Sequence, residues 1–137
     1  MEVKEKHLTE LSDQLEGELV WDKIHKMLYA TDASVYKMLP LAVAYPKNTK
    51  DLQSLIRFAS EHKTSLIPRT AGTSLAGQCV GPGIVVDMSK HFTKIMELNK
   101  EKKTVRLQPG VNRDALNAYL KPFGLFFGPN TSTSAYC

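Results

Sequence analysis

Two short apolar runs, LAVAYP at 41–46 and SLIP at 65–68, flank the segment NTKDLQSLIRFASEHK. Within it, Leu52, Leu55, Ile56 and Ala59 recur at three- and four-residue spacing, which puts them on one face of a helix. Asn48 or Thr49 stands where that helix needs its N-cap. A strand, a helix and a second strand in this order close as a right-handed parallel crossover. The chain is thereby directed to folds that lay helices on a sheet. GIVVDM at 83–88 adds a strand of the buried type.

Other elements follow from the same patterns. KIMELN (94–99) and TVRLQP (104–109), joined by KEKK, read as a hairpin with a Lys-rich tip, and this hairpin is expected to make the sheet mixed. NRDALNAYLKPFG reads as a helix capped by Asn112 and stopped by Pro122 and Gly124. LFFGPN near the end begins as a strand-like apolar piece. Residues 1–30 read as a helical segment, with Leu8, Leu11, Leu15 and Leu19 as one stripe, Thr9 or Ser12 as its cap, and Trp21, Ile24, Met27 and Leu28 continuing the spacing. The fold class expected is α+β: a small mixed sheet with flanking helices, preceded by that helical segment.

Bulk properties narrow the function. A chain of 137 residues, 42% hydrophobic and 23% charged, has the make-up of one globular domain. No apolar run approaches the roughly 18 residues of a transmembrane helix, and the charged N-terminus is unlike a secretory signal. The expected location is cytoplasmic. The net charge of +4 comes from dispersed Lys and Arg without the aromatic interleaving of a nucleic-acid surface, so no nucleic acid is expected, while an anionic ligand is compatible. His7, His25, His62 and His91 lack metal-ligand spacing, and Cys79 and Cys137 suggest neither a disulfide framework nor a metal site. Cys79 reads as a small packed thiol, and Asp87 as a cap for the turn after its strand.

The stretch IPRTAGTSLAGQCVGPGIVVDM carries the chemistry. Gly72 and Gly77 can take positive φ, and successive main-chain N–H groups facing one concavity form a nest for phosphate oxygens. Ala71, Gly72, Ala76 and Gly77 are small enough to admit a phosphate close to the backbone, and Thr70, Thr73 and Ser74 add hydroxyls. A Walker loop would end in Gly-Lys-Ser/Thr, whereas this one ends Gly77-Gln78-Cys79. The dinucleotide fingerprint G-x-G-x-x-G opening a helix is also absent. A glycine-rich turn that merely joins two strands remains the alternative on spacing alone.

The ordered series resolves more. VAYPKNTKDLQSLIRFASEHKTSLIPRTAGTSLAGQ, then IVVDMSKHFTKI, VRLQPGV and FGPNTSTS, resembles the flavin-binding domain of the vanillyl-alcohol oxidase and p-cresol methylhydroxylase family. The likeness runs from about residue 29 onward and is strongest to the D-2-hydroxy-acid dehydrogenase and glycolate oxidase subunit branch. The resemblance implies FAD as cofactor, its pyrophosphate held by Pro68, Arg69, Thr70, Ala71, Gly72, Thr73, Ser74, Leu75, Gly77 and Gln78. It also implies an approach from the other side by Pro129, Thr131 and Ser132, in a turn like the family's GPDPSS with Asn130 in place of Asp. Some members attach FAD covalently through a loop histidine; Thr73 stands at that place here, so non-covalent binding is expected. TDASVY (31–36) has family-like form and places Tyr36 near the cofactor domain.

The family's catalytic bases, substrate arginines and metal-binding histidines lie in segments with no counterpart here, so the resemblance implies no catalytic or metal residue for this chain. Residues 31–137 read as the first part of a flavin domain, and the chain as an N-terminal fragment that is inactive by itself. The parent enzyme implied passes a hydride from a 2-hydroxy acid to the flavin and its electrons to an acceptor that the residues do not identify. The alternative is a non-catalytic nucleotide-binding or structural module.

Overall fold

The computed structural model describes residues 3–136. Its central sheet is built from β1 (Glu18–Val20), β2 (Ala42–Tyr45), β3 (Leu66–Arg69) and β4 (Ile84–Asp87), in the order β1-β2-β4-β3. β4 is buried along its whole length and pairs in parallel with both neighbours, Val43 opposite Val85 on one side and Ile67 opposite Val85 on the other. The helix between β2 and β3 is α3 (Thr49–His62), capped by Asn48, whose side chain accepts from the Asp51 N–H at 3.0 Å. The strand–helix–strand unit is thus present, with β4 inserted between its two strands. Ile84, Val86, Ala42 and Ala44 point to one face, where they pack with Leu55 and Phe58 of α3 and with Leu8, Leu11 and Leu19.

Several expectations change. The buried face of α3 carries Asp51, Ser54, Leu55, Phe58 and Ala59, while Leu52 is half-buried and Ile56 exposed. The stripe lies one position earlier than expected, with Asp51 turned inward onto the N–H groups of Glu16, Gly17 and Lys47. The first thirty residues are not uniformly helical. α1 (Glu5–Ser12) begins after Lys4, so neither Thr9 nor Ser12 caps it, and Leu19 lies on β1, paired antiparallel with Ala44 of β2. A short helix, α2 (Lys23–Leu28), capped by Asp22, follows. The sheet is mixed because of β1. The hairpin β5 (Ile95–Asn99) and β6 (Thr104–Leu107) forms a separate two-stranded sheet.

Asp51 explains why the N-terminal chain joins the sheet. Its carboxylate, only 1% exposed, accepts from the N–H groups of Glu16 (3.0 Å), Gly17 (3.0 Å) and Lys47 (2.8 Å). Burial pushes this carboxyl up, but the N–H groups of Lys47, Glu16, Gly17 and Asn48 outweigh it and hold the pKa below the ordinary value. Gly17 is required here, because a Cβ would meet the Tyr45 carbonyl oxygen and stand 3.0 Å from the carboxylate.

The last helix is α4 (Arg113–Leu120), capped by Asn112 through the Ala115 N–H (2.8 Å). A 3-10 turn over Lys121–Phe123 and a left-handed Gly124 end it, as Pro122 and Gly124 suggested. Residues 125–127 form no strand. Asn117 takes the Phe127 N–H at 2.7 Å and lays the segment along α4, so its backbone is not offered to a sheet.

Candidate functional site

The glycine loop leaves β3 after Arg69 and returns at β4, with Arg69 and Asp87 opposite one another on the paired strands. Gly72 (φ +69°) and Gly77 (φ +73°) both adopt the left-handed conformation. Each is also in close packing. A Cβ at Gly72 would stand 2.7 Å from Arg69 Cζ, and one at Gly77 would stand 2.7 Å from Tyr36 Cδ2.

Residues 29–36 clamp the loop. Arg69 Nη1 donates to the Thr31 carbonyl at 2.7 Å and lies 3.5 Å from the carbonyls of Tyr29 and Cys79, with its guanidinium 5.1 Å from the Tyr29 ring centroid. The Ala33 N–H donates to Gly72 O (3.1 Å), and the Cys79 N–H donates to Asp32 Oδ2 (3.4 Å). The Ser34 hydroxyl and burial act oppositely on the Asp32 carboxyl; the hydroxyl, with the N–H groups of Ser34 and Cys79 and the charge of Arg69, holds it below the usual carboxylate range. Arg69 therefore shapes the loop from within. Tyr36, which the family-like form of residues 31–36 placed near the cofactor domain, packs on Gly77.

The loop's polar groups divide into two sets. Ser74 Oγ accepts from the N–H groups of Ala76 and Gln78, both at 3.2 Å, and pairs with Gln78 Oε1, so this hydroxyl is spent inside the loop. The N–H groups of Ala71, Gly72, Ser74, Leu75 and Gly77 donate to no acceptor among the described residues. Main-chain donors of this kind need solvent or a ligand. On a loop of small residues with two left-handed glycines, they make a surface suited to anionic oxygens.

The FAD binding domain family matches residues 40–137. The chain belongs to that family. It is 44% identical over 131 residues to a D-2-hydroxyglutarate dehydrogenase of Escherichia coli (strain K12), covering 93% of this chain and 13% of the relative. It is 34% identical over 110 residues to the glycolate oxidase subunit GlcD of Bacillus subtilis (strain 168), covering 79% and 23%. Among solved structures, an alkyldihydroxyacetonephosphate synthase aligns with a TM-score of 0.79 at 17% identity over 98% of this chain and 28% of that one. A p-cresol methylhydroxylase with substrate bound aligns with a TM-score of 0.72 at 15% identity, over 90% and 26%. These two show the fold, which is the mixed sheet with flanking helices expected from sequence. The chain spans only 12–13% of the length of curated D-2-hydroxyglutarate dehydrogenases such as that of Escherichia coli.

FAD is the cofactor of this family, and the residues present fit it. The loop donors that find no acceptor among the described residues suit a diphosphate. The small, exposed Ala71 and Ala76 leave the backbone approachable there, whereas the space beside Gly72 and Gly77 is taken by Arg69 and Tyr36. Pro68 and Leu75 are exposed at the loop's surface. The turn with Pro129, Thr131 and Ser132 is held by a different element: Arg113 Nε on α4 donates to the Pro129 carbonyl at 2.6 Å, and Ser134 Oγ reaches Asp114 at 3.5 Å. Thr131 and Ser132 are exposed.

Asp87 caps the turn after β4 as expected, accepting the Ser89 N–H and hydroxyl at 2.7 and 2.6 Å. Its second oxygen takes the Tyr29 hydroxyl, and burial together with this bond pushes the Tyr29 phenol far above its usual pKa, so it stays a donor. Tyr29 and the Asp32 link are the parts sequence reasoning missed; the family-like form of 31–36 was the available signal. Cys137 lies outside the described residues. No helix among the described residues is long and apolar enough to cross a membrane.

Proposed function

We propose that this chain supplies the FAD diphosphate-binding loop of an enzyme that oxidises a small 2-hydroxy acid. The observation that carries the reading is the row of N–H groups at Ala71, Gly72, Ser74, Leu75 and Gly77 with no acceptor among the described residues, on a loop whose two glycines are left-handed. The same reading assigns Pro68 to Leu75, Gly77 and Gln78 to one side of the diphosphate, and Pro129, Thr131 and Ser132 to the other. Arg69 acts within it by holding the loop on residues 29–33. Thr73, where a covalent member has histidine, leaves the cofactor bound non-covalently.

The relatives named for D-2-hydroxyglutarate, D-lactate and glycolate support the substrate class. FAD, when bound, supplies a two-electron acceptor. The chain's own part is to bind and orient it. Residues 31–137 form the first part of the flavin domain, and the substrate pocket and the route to an electron acceptor belong to the longer enzyme. A cytoplasmic setting is part of the same proposal, and cell fractionation tests it.

Titration of FAD into the wild type and Gly72→Val, followed by flavin fluorescence and calorimetry, tests the loop assignment, with circular dichroism as folding control. Saturable binding that a folded Gly72→Val loses is expected. A folded wild type that binds no FAD, either alone or joined to the rest of its flavin domain, would leave the loop a mere connection.

A further inference from the structure

Tyr29 sits between two groups that meet on the strands behind the glycine loop. Asp87 and Arg69 are cross-strand partners at the ends of β4 and β3, yet the ion pairs among the described residues involve other groups. The Tyr29 hydroxyl donates to Asp87 Oδ2 at 2.5 Å, while Oδ1 is already fixed by the N–H and hydroxyl of Ser89. The guanidinium of Arg69 lies over the Tyr29 ring, and Tyr45 meets that ring edge-on, with centroids 6.0 Å apart at 78°. Arg69 in turn occupies the space beside Gly72 that a side chain would need.

We propose that Asp87 and Tyr29 are positioning residues for the glycine loop. Asp87 sets the phenol, the phenol ring sets the plane of Arg69, and Arg69 sets the path of the backbone at Gly72. Asp87 is 6% exposed on the strand with the deepest burial, so the anchor is tied to the rigid part of the sheet. The loop itself has few internal bonds, and a preorganised donor surface needs such outside support. The functional meaning rests on the FAD reading above; the chain of contacts does not.

The test uses Tyr29→Phe, Asp87→Ala and Asp87→Asn, with Lys90→Ala as control. Lys90 lies over Tyr45, at the far side of the aromatic pair, and bonds Glu18. Amide exchange is read at Ala33 and Cys79, whose N–H groups close the clamp on Gly72 O and Asp32, and is compared with the amides of β2 and β4. Losing its one hydrogen bond to Asp87 should make Tyr29→Phe speed exchange at these two amides about tenfold. Asp87→Ala, which also strips the Ser89 N–H and hydroxyl of their acceptor, should speed it at least as much. FAD affinity should fall by a similar factor. Asp87→Asn can still accept from Ser89 through its oxygen and donate to the phenol through its amide, so it should stay within about twofold of the wild type.

Unchanged exchange at Ala33 and Cys79 in a folded Tyr29→Phe overturns the proposal. So does acceleration no greater than that of the β4 amides, which would mean a general loss of stability. An Asp87→Asn as damaging as Asp87→Ala, or a Lys90→Ala that loosens the same two amides, also overturns it. A wild type that binds no FAD defeats the cofactor reading while exchange still decides the positioning. A loosened loop with unaltered FAD affinity shows that the pair positions nothing the cofactor uses.

Discussion

Replacing Asp51 with Ala should cost more stability than removing any exposed charge of this chain. The substitution leaves the N–H groups of Glu16, Gly17 and Lys47 without their acceptor. A buried donor stranded in this way costs about 1–3 kcal/mol. Gly17 is only half-buried, and Glu16 and Lys47 are exposed, so water can reach some of these groups and the lower end applies. Three donors at about 1 kcal/mol each give about 3 kcal/mol. That is a large part of a typical total of about 5–15 kcal/mol. For a chain of this size it corresponds to a fall in Tm of roughly 10 °C. Asp51→Asn keeps the shape and one acceptor oxygen, so about half the loss is expected. Urea unfolding followed by circular dichroism at neutral pH measures both variants. An Asp51→Ala within about 0.5 kcal/mol of wild type, the spread of a neutral surface change, would refute the claim that this carboxylate holds β1 to the sheet.

Because the Asp51 carboxyl lies below its ordinary value of 3.8 when folded, the unfolded chain binds the proton more tightly. The stability it contributes is therefore complete above that value and declines as pH falls through the folded one; acid titrations should show this slope in the wild type and a shallower one in Asp51→Asn. Gly72→Ala should cost about 1–3 kcal/mol for a left-handed non-glycine residue, plus a steric part against Arg69. That second part should vanish in the Arg69→Ala background, so a double-mutant cycle by urea unfolding should be non-additive, and strict additivity would contradict the packing. A Cβ at Gly83 would stand 2.7 Å from the Ser65 carbonyl carbon. Gly83→Ala should thus disturb the β3–β4 lead-in by about 2 kcal/mol or more, seen as a lowered urea midpoint, and an unchanged midpoint would count against the close approach.

What the residues revealed in advance was local. The helix α3 with Leu55 and Ala59 on its buried face, the caps at Asn48 and Asn112, the positive φ of Gly72 and Gly77 and the stop at Gly124 each depend on neighbours within a few positions, and each is present. β1 was hidden because Leu19 continues the spacing of Leu8, Leu11 and Leu15. Its strand conformation comes from pairing with β2, and its lead-in from Asp51, more than thirty residues away.

The loop shows the same division more sharply. Its glycines say that bare backbone is wanted, and nothing nearby says what holds it in shape. The answer lies in residues 29–36, whose polar side chains look like an ordinary connector, and in Asp87, which looks like a simple turn cap and serves as one. A sequence motif of this kind therefore marks the donors. The rigidity that makes donors into a binding surface comes from contacts spanning distances such as the 40 positions between Tyr29 and Arg69. Arg69 illustrates the consequence. The family resemblance makes it a candidate phosphate ligand, yet one of its guanidinium nitrogens is turned onto three carbonyls, so its charge first steadies the loop. Neutralising it should disturb the donors that surround Gly72 before it removes any direct attraction for an anion.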